Sequence, residues 1–429
     1  MRRMQIWKLN AGSDKRFRSG HPWVYSNELA HSPKGLEPGA PVELQDAGGK
    51  FLARGYGNPA SLIAFRALSR DPQIADPLSG ENVKRLLSVA AGLRRDLGLE
   101  SYSHRLVHGE ADGIPGLIVD RYRLIGDEGG DATVLAIQAH TAGADRLLGH
   151  VLEALAALDP EATVVVRNDL GVRKLEGIES QEPRIERTGK LGSAARERLQ
   201  RARIRVRGAS SGELFFQCDL LEGQKTGFFL DQSANIELAV RRLRGHGGRG
   251  PVKILDLCCY VGQWGAQLAA ALKAEGRVAQ VTAVDASESA LAFARANVEA
   301  AGGQCETIKM DVLRGLESLE TGSFDWVICD PPALIKSRKD IPQGTHAYLQ
   351  LNTQAIRLAR KGGAIVSCSC SALLDEESFT QTLSKAAYRN RAEIRWVARG
   401  GQAPDHPVKL EFPEGRYLKA WIGRVSPDS

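Results

Sequence analysis

Apolar and polar positions change their rhythm three times along the chain. In residues 1–73, short apolar pieces (Met4–Leu9, Val42–Gln45, Leu52–Tyr56, Leu62–Leu68) are separated by turn signals such as Asp46-Ala47-Gly48-Gly49 and Gly57-Asn58-Pro59. This spacing predicts a small β domain. Ser79–Leu97 carries its leucines and valine at intervals of three and four, which predicts a helix leading into the next unit. Tyr102–Arg184 then reads strand, strand, helix, strand, strand. It comprises a hairpin-like pair in R-L-V-H-G-E-A-D-G-I-P-G-L-I-V-D, apolar Thr133–Gln138, amphipathic Ala142–Leu158, valine-rich Ala162–Arg167 and a polar hairpin at Arg167–Gly177. Beyond Lys253 the pattern becomes apolar strand, glycine turn, helix, repeated. Ile254, Leu255 and Leu257 form a strand buried on both faces, Gly262 and Gly265 follow, and A-Q-L-A-A-A-L-K favours a helix. Strand Gln280–Val284, helix Glu288–Ala301, strand Thr307–Met310, strand Phe324–Cys329 and the run A-I-V-S-C-S-C-S after Gly362-Gly363 complete the set. The boundaries expected are 1–73, 74–200 and 201–429, the last an α/β domain with a parallel sheet.

Chemistry enters at the ends of those strands. A glycine turn between strand and helix lets backbone N–H groups approach a ligand. A dinucleotide fingerprint has three glycines, and Cys258 and Tyr260 stand where two of them belong. By itself the turn therefore fits either a ligand site or a plain connection. Asp285 closes the second strand, Asp311 the third and Asp330 the fourth, so three acids point to the carboxyl edge of one sheet. This ordered set, over roughly Gln224–Gly423, resembles the class I S-adenosylmethionine-dependent methyltransferases, with a Rossmann-like fold. The resemblance implies S-adenosylmethionine as cofactor. It implies that the turn (Asp256, Tyr260, Gly262) holds the methionine part, Asp285 the ribose, and Asp311 the adenine amine, with Asp330 at the same edge.

Composition narrows the setting. Lys and Arg number 57 against 51 acidic residues, a net charge of +6, which is compatible with a polyanionic partner. All seven cysteines lie between Cys218 and Cys370 with no C-x-x-C pair, so neither a disulfide framework nor a zinc ribbon is indicated, and no metal site is expected. The first residues, M-R-R-M-Q-I-W-K, lack the apolar stretch of a signal peptide, and no run of about eighteen apolar residues occurs. A cytoplasmic protein without a membrane span is expected, and a homodimer is allowed for.

Three polar stretches have two readings each. Lys15–Glu28 interleaves Lys15, Arg16 and Arg18 with His21, Trp23 and Tyr25. That suits phosphates and exposed bases, or else a strand with a core face and a solvated basic face. G-H-P-W-V-Y-S with the later L-A-R-G-Y-G resembles the PUA RNA-binding module, a small β-barrel, and this favours an RNA role for the domain. His108, Glu110 and Asp112 fit metal or acid–base groups, or simply a turn around Gly109 and Gly113, which is the simpler reading. Between Arg184 and Arg207 nine basic residues face two acidic ones, and R-A-R-I-R-V-R would put Arg201, Arg203, Arg205 and Arg207 on one strand face. Such a row meets phosphates, or guards an edge strand by charge.

Just before the glycine turn, E-G-Q-K-T-G-F-F-L-D-Q (Glu222–Gln232) is similar to a signature of the ribosomal RNA 5-methylcytosine methyltransferases that carry an N-terminal PUA domain. Those enzymes line the cofactor pocket with this segment, which implies Lys225, Phe229 and Asp231 as pocket residues. The middle segment resembles their small α+β central domain. S-C-S-A-L-L (Ser369–Leu374) is similar to the family's S-C-S-G-L, whose cysteine is the nucleophile. That register selects Cys370, with Cys368 a neighbour and Cys258 and Cys259 in the cofactor wall. Cys218, Cys305 and Cys329 are expected to be small buried hydrophobes. Asp330 is the candidate base. Ala333 stands after the two prolines, where the family usually has lysine and amino-group methyltransferases an aromatic. D-H-P-V and F-P-E-G-R-Y-L-K near the end also occur in the family, and His406 is a loop cap or a site neighbour. The activity implied is C5 methylation of a cytidine in large-subunit ribosomal RNA through a cysteine–C6 bond. The alternatives are N-methylation of guanine or adenine, and a non-catalytic RNA-binding or assembly factor.

Overall fold

The N-terminal apolar pieces become β1 (Gln5–Lys8), β2 (Trp23–Tyr25), β3 (Ala40–Gln45), β4 (Phe51–Gly57) and β5 (Ile63–Ser69) in a computed structural model that describes residues 4–126, 130–210, 212–243 and 250–426. Their order is β1-β3-β4-β5-β2, with β1 parallel to β3 and the other pairs antiparallel. Period-two alternation buries Trp7, Val24, Val42, Leu44 and Phe65 on one side, closed by Phe17 from the turn Lys15–Arg18. The chain divides into two units. The first comprises Met1–Arg205, Asp219–Phe228 and Pro404–Gly415; the second comprises Val206–Cys218, Phe229–Ala403 and Arg416–Ser429.

The first unit holds a second sheet, built from β6 (His104–His108), β7 (Leu117–Leu124), β8 (Ala132–Ala139), β9 (Thr163–Val166), β10 (Arg184–Arg187) and β11 (Ala202–Arg207). The order is β10-β9-β8-β7-β11, and β6 also pairs with β7. The helix Gly80–Asp96 starts where Ser79 Oγ accepts the Asn82 N–H, and its Val83, Leu86 and Leu87 pack with Leu148, Val151 and Leu155 of the helix Leu148–Leu158. Arg167–Gly177 is not the expected hairpin. Gly171–Glu176 is a 3-10 turn that buries Arg173 against Asp145 and Glu176 against Arg66 and Asn58, and Arg167 ahead of it pairs with Asp169. Alternating polarity cannot report such pairing, because a buried ion pair and a solvated one have the same sequence.

The polar stretches resolve in the same unit. Arg16 bonds Glu28, a His21 ring nitrogen and the Trp23 carbonyl, Arg18 pairs with Asp14 and Asp46, and the Trp23 Nε1–H donates to Glu110. Trp23 and Tyr25 are half-buried, and the core residue of their strand is Val24. Asp112 accepts from Arg94 at 2.6 and 2.9 Å, so this turn carboxylate is committed to a buried ion pair. His406 stands against its neighbour Asp405, whose carboxylate also accepts the Arg105 N–H, as in a loop anchor. Of the arginine row, Arg203, Arg205 and Arg207 alternate with buried Ala202, Ile204 and Val206, while Arg201 precedes the strand.

The second unit contains β12 (Glu213–Cys218) and a sheet of β13 (Val252–Leu257), β14 (Ala279–Asp285), β15 (Gln304–Lys309), β16 (Phe324–Cys329), β17 (Ala359–Ser369), β18 (Ile394–Gly400) and β19 (Lys419–Val425). The order is β15-β14-β13-β16-β17-β19-β18; the first five are parallel and β19 runs antiparallel to both neighbours. Strand order reverses between β13 and β16, and a crevice opens at such a switch point beyond the carboxyl ends of the strands. Leu255, Val284, Val327 and Ile365 fill the core under the helix Ile341–Leu358. No helix among the described residues is long and apolar enough to cross a membrane.

Candidate active site

The turn after β13 follows a glycine-like path without the glycines. Cys258 has φ +60° and Tyr260 φ +48°, left-handed values that cost a non-glycine residue of the order of 1–2 kcal/mol. Gly262, at φ +74°, caps the helix Gln263–Ala274, and a side chain at Gly265 would strike Val281 at 2.8 Å. The strained backbone is held from outside. Asp285 Oδ2 accepts the Tyr260 N–H at 2.9 Å, its Oδ1 accepts the Ser287 N–H at 2.9 Å, and Asp256 Oδ2 accepts the Gly265 N–H at 3.0 Å. Phe229 meets the Tyr260 ring edge to face, centroids 5.1 Å apart. Asp256, Tyr260, Gly262, Asp285 and Phe229 are thereby joined in one cluster.

Asp330 closes β16 on the other side of the switch point. Its Oδ2 accepts from Gln232 Nε2 at 2.8 Å and from Trp264 Nε1 at 3.0 Å, and Asn235 in turn donates to Gln232 Oε1. Asp231, buried, accepts from the Tyr417 hydroxyl at 2.6 Å. Burial, together with the neighbouring Asp330 and Asp285 carboxylates, pushes Asp256 up to about 7, against the pull of the Gly265 N–H.

β17 ends at Ser369, one residue short of Cys370. The two cysteines part there. Cys368 is fully buried, and burial pushes its thiol well up. Cys370 is half-buried, with its Sγ 3.9 Å from the Pro331 carbonyl. Ser371 ties the two loops together, because its Oγ accepts the Ile335 N–H at 3.1 Å and bonds the Tyr348 hydroxyl at 3.0 Å. Asp330-Pro331-Pro332 and Cys370 thus share one rim. Burial also raises the thiols of Cys258, Cys259 and Cys329; Cys305, expected to be buried, is half-exposed on the outermost strand.

Two further sequence candidates have partners of their own. Asp311 is exposed and caps its own turn, accepting the Leu313 N–H at 3.1 Å and facing Arg314 at 3.3 Å. Lys225 belongs to the first unit, with φ +54° and its carbonyl accepting from Gln138. Sequence reasoning missed Gln232, Trp264, Tyr417 and Lys419. All four lie inside stretches already singled out, yet Asp330 for Gln232 and Trp264, Asp231 for Tyr417 and Ser371 for Lys419 are at least 48 residues away in the chain, and no local signal carries that.

Residues 8–70 match the family model of a PUA-like domain and residues 254–363 that of a methyltransferase domain. The chain is 34% identical over 424 residues to ribosomal RNA large subunit methyltransferase I of Photobacterium profundum, covering 96% of this chain and 97% of that one. The chain belongs to the ribosomal RNA large subunit methyltransferase I family. The Escherichia coli O9:H4 member is 31% identical, with 97% and 98% covered. The fold is that of a Streptococcus mutans protein described as a SAM-dependent methyltransferase, at 18% identity and TM-score 0.70, with 98% of this chain and 100% of that one covered. It is also that of a methyltransferase solved with S-adenosylhomocysteine, at 17% identity and TM-score 0.71, with the same coverage.

The cofactor of this methyltransferase I family member is S-adenosylmethionine. Its cationic ammonium and sulfonium groups suit the edge described above. Asp256 is wholly buried, its Oδ1 meets no hydrogen-bond partner among the described residues, and Asp285 and Asp330 repel its charge. A cation set among three carboxylates relieves that repulsion.

Proposed function

We propose that this enzyme methylates C5 of a cytidine in large-subunit ribosomal RNA through a transient bond between Cys370 and C6. The observation that carries the reading is the half-buried Cys370 thiol on the same rim as Asp330, while Cys368 beside it is sealed. Cytosine C5 is a poor nucleophile. When the Cys370 thiolate adds to C6, the C5–C6 π pair moves to C5, which can then form a carbon–carbon bond. S-adenosylmethionine, when bound, would supply the electrophilic methyl group, its S–CH3 pair returning to sulfur to leave a neutral thioether. Asp330 then takes the C5 proton, the freed pair restores the C5–C6 double bond, and the Sγ–C6 bond breaks to return the thiolate. In this reading Asp285 holds the ribose and the turn Asp256–Gly262 the methionine part. Phe229 and Asp231 line the same pocket, and Asp311 faces the adenine amine. Mapping of 5-methylcytidine in RNA from cells with and without the gene tests the assignment: no cytidine that loses its methyl group would reject it.

Asp285→Ala should weaken S-adenosylmethionine binding by roughly 1.5–3 kcal/mol, the worth of hydrogen bonds to a charged acceptor. Titration calorimetry on the folded variant checks this, and unchanged affinity would remove Asp285 from the site.

The substrate side rests on the three-part division 1–73, 74–200 and 201–429, in which the PUA-like part and the arginine row take RNA. Replacing Arg201, Arg203, Arg205 and Arg207 by Gln should weaken RNA binding and flatten its salt dependence by about 0.7–0.9 in slope per lost phosphate contact. An unchanged slope would return the row to a merely solvated face. Cytoplasmic action accompanies this reading, and light scattering decides between monomer and homodimer.

A further inference from the structure

Lys419 opens β19 directly opposite Ser369, the last residue of β17. The Nζ donates to the Ser371 carbonyl at 3.0 Å and to the Tyr417 carbonyl at 2.9 Å, so the ammonium is pinned one residue beyond the thiol. Lys419 is only 6% exposed. An ammonium has three donors, and two are taken by carbonyls. The charged and titratable groups around it are Cys370, Glu376, Arg416 and Asp375. Glu376 is already paired with Arg416 at 2.8 Å and Arg399 at 3.3 Å, and Asp375 caps the helix Glu376–Arg389 through the Ser378 N–H at 2.7 Å. Both carboxylates have other employment. Cys370 precedes Ser371 in the chain, and a fixed cation beside a thiol favours its ionised form.

We propose that Lys419 is the positioning residue that holds Cys370 as a thiolate ready to attack, a role that rests on the reading of Cys370 as nucleophile. The cost of burying a cation is then set against a negative charge that the reaction needs. Burial draws Lys419 down to about 8, so it keeps its proton at neutral pH, and its help fades as pH rises through that value.

The test is alkylation of full-length protein by iodoacetamide, following the Cys370 peptide by mass spectrometry across a pH series. In wild type, Cys370 should react with a midpoint below the ordinary cysteine value of about 8.5. Lys419→Gln, which can still donate to a carbonyl, should react about tenfold more slowly near neutral pH, with its profile moved to higher pH by about one unit. Lys419→Arg should keep the wild-type profile. Superimposable profiles for Gln and wild type would overturn the proposal. So would a wild-type midpoint at or above the ordinary value, a measurement that needs no variant to fold. Methylation of RNA by Cys370→Ala would overturn the nucleophile reading alone, since the alkylation shift does not depend on turnover.

Discussion

Cys370→Ala is expected to abolish methyl transfer to RNA, with a loss of at least about a thousandfold, as removal of an enzymic nucleophile commonly produces. The sharper readout is the covalent intermediate. RNA carrying 5-fluorocytidine cannot give up its C5 substituent as a proton, so the Sγ–C6 bond should persist. A denaturing gel should show a protein–RNA band that requires S-adenosylmethionine and is absent in Cys370→Ala. Cys368→Ala should still trap, because Cys368 is fully buried with its thiol pushed well up, and its replacement leaves only a small cavity. A band that survives Cys370→Ala but vanishes in Cys368→Ala would move the nucleophile two residues upstream. Full methylation of normal RNA without any trapped band would discard the covalent route in favour of N-methylation. RNA affinity without methyl transfer by wild type would leave an assembly factor.

Asp330→Asn should slow turnover by about a hundredfold to ten-thousandfold, the usual contribution of a positioned acid or base. The substitution suits the site, because an amide oxygen can still accept from Gln232 at 2.8 Å and Trp264 at 3.0 Å, so the rim keeps its shape. What it removes is the proton acceptor. Attack by Cys370 precedes that step, so ordinary RNA, with no fluorine, should now accumulate in the covalent band while release is slow. Rapid-quench kinetics separate the two phases. Slow turnover without accumulation would place Asp330 before bond formation, and normal turnover would take it out of the chemistry.

Locally encoded features were legible before any coordinates. The turn after β13 was visible as strand, glycine and helix, since Gly262 and Gly265 supply a left-handed cap and a close helix–strand approach. Its oddity, Cys258 and Tyr260 in left-handed conformations, was not, because the bonds that hold Tyr260 come from Asp285, twenty-five residues on. The Gly80–Asp96 helix was plain from the three-and-four spacing of its leucines and valine, and the Ser79 cap came with the structure. Arg167–Gly177 misled, since its polarity implied a solvated hairpin whereas Arg173 and Glu176 lie inside with Asp145 and Arg66.

The sequence alone determined the order of the elements, the acids at the strand ends and the two cysteines near the end of β17, all read from neighbours within a turn or a strand. Tertiary structure decided which of those groups meet. It set Cys370 in reach of the rim while burying Cys368, clamped Asp330 between Gln232 and Trp264, left Asp311 exposed on its own cap, and brought the Lys419 ammonium to the Ser371 carbonyl. The physical reason is one of range. Hydrophobic period and turn chemistry act over a few residues, whereas hydrogen bonds and burial depend on which strands become neighbours, and that is settled by the packing of the whole sheet.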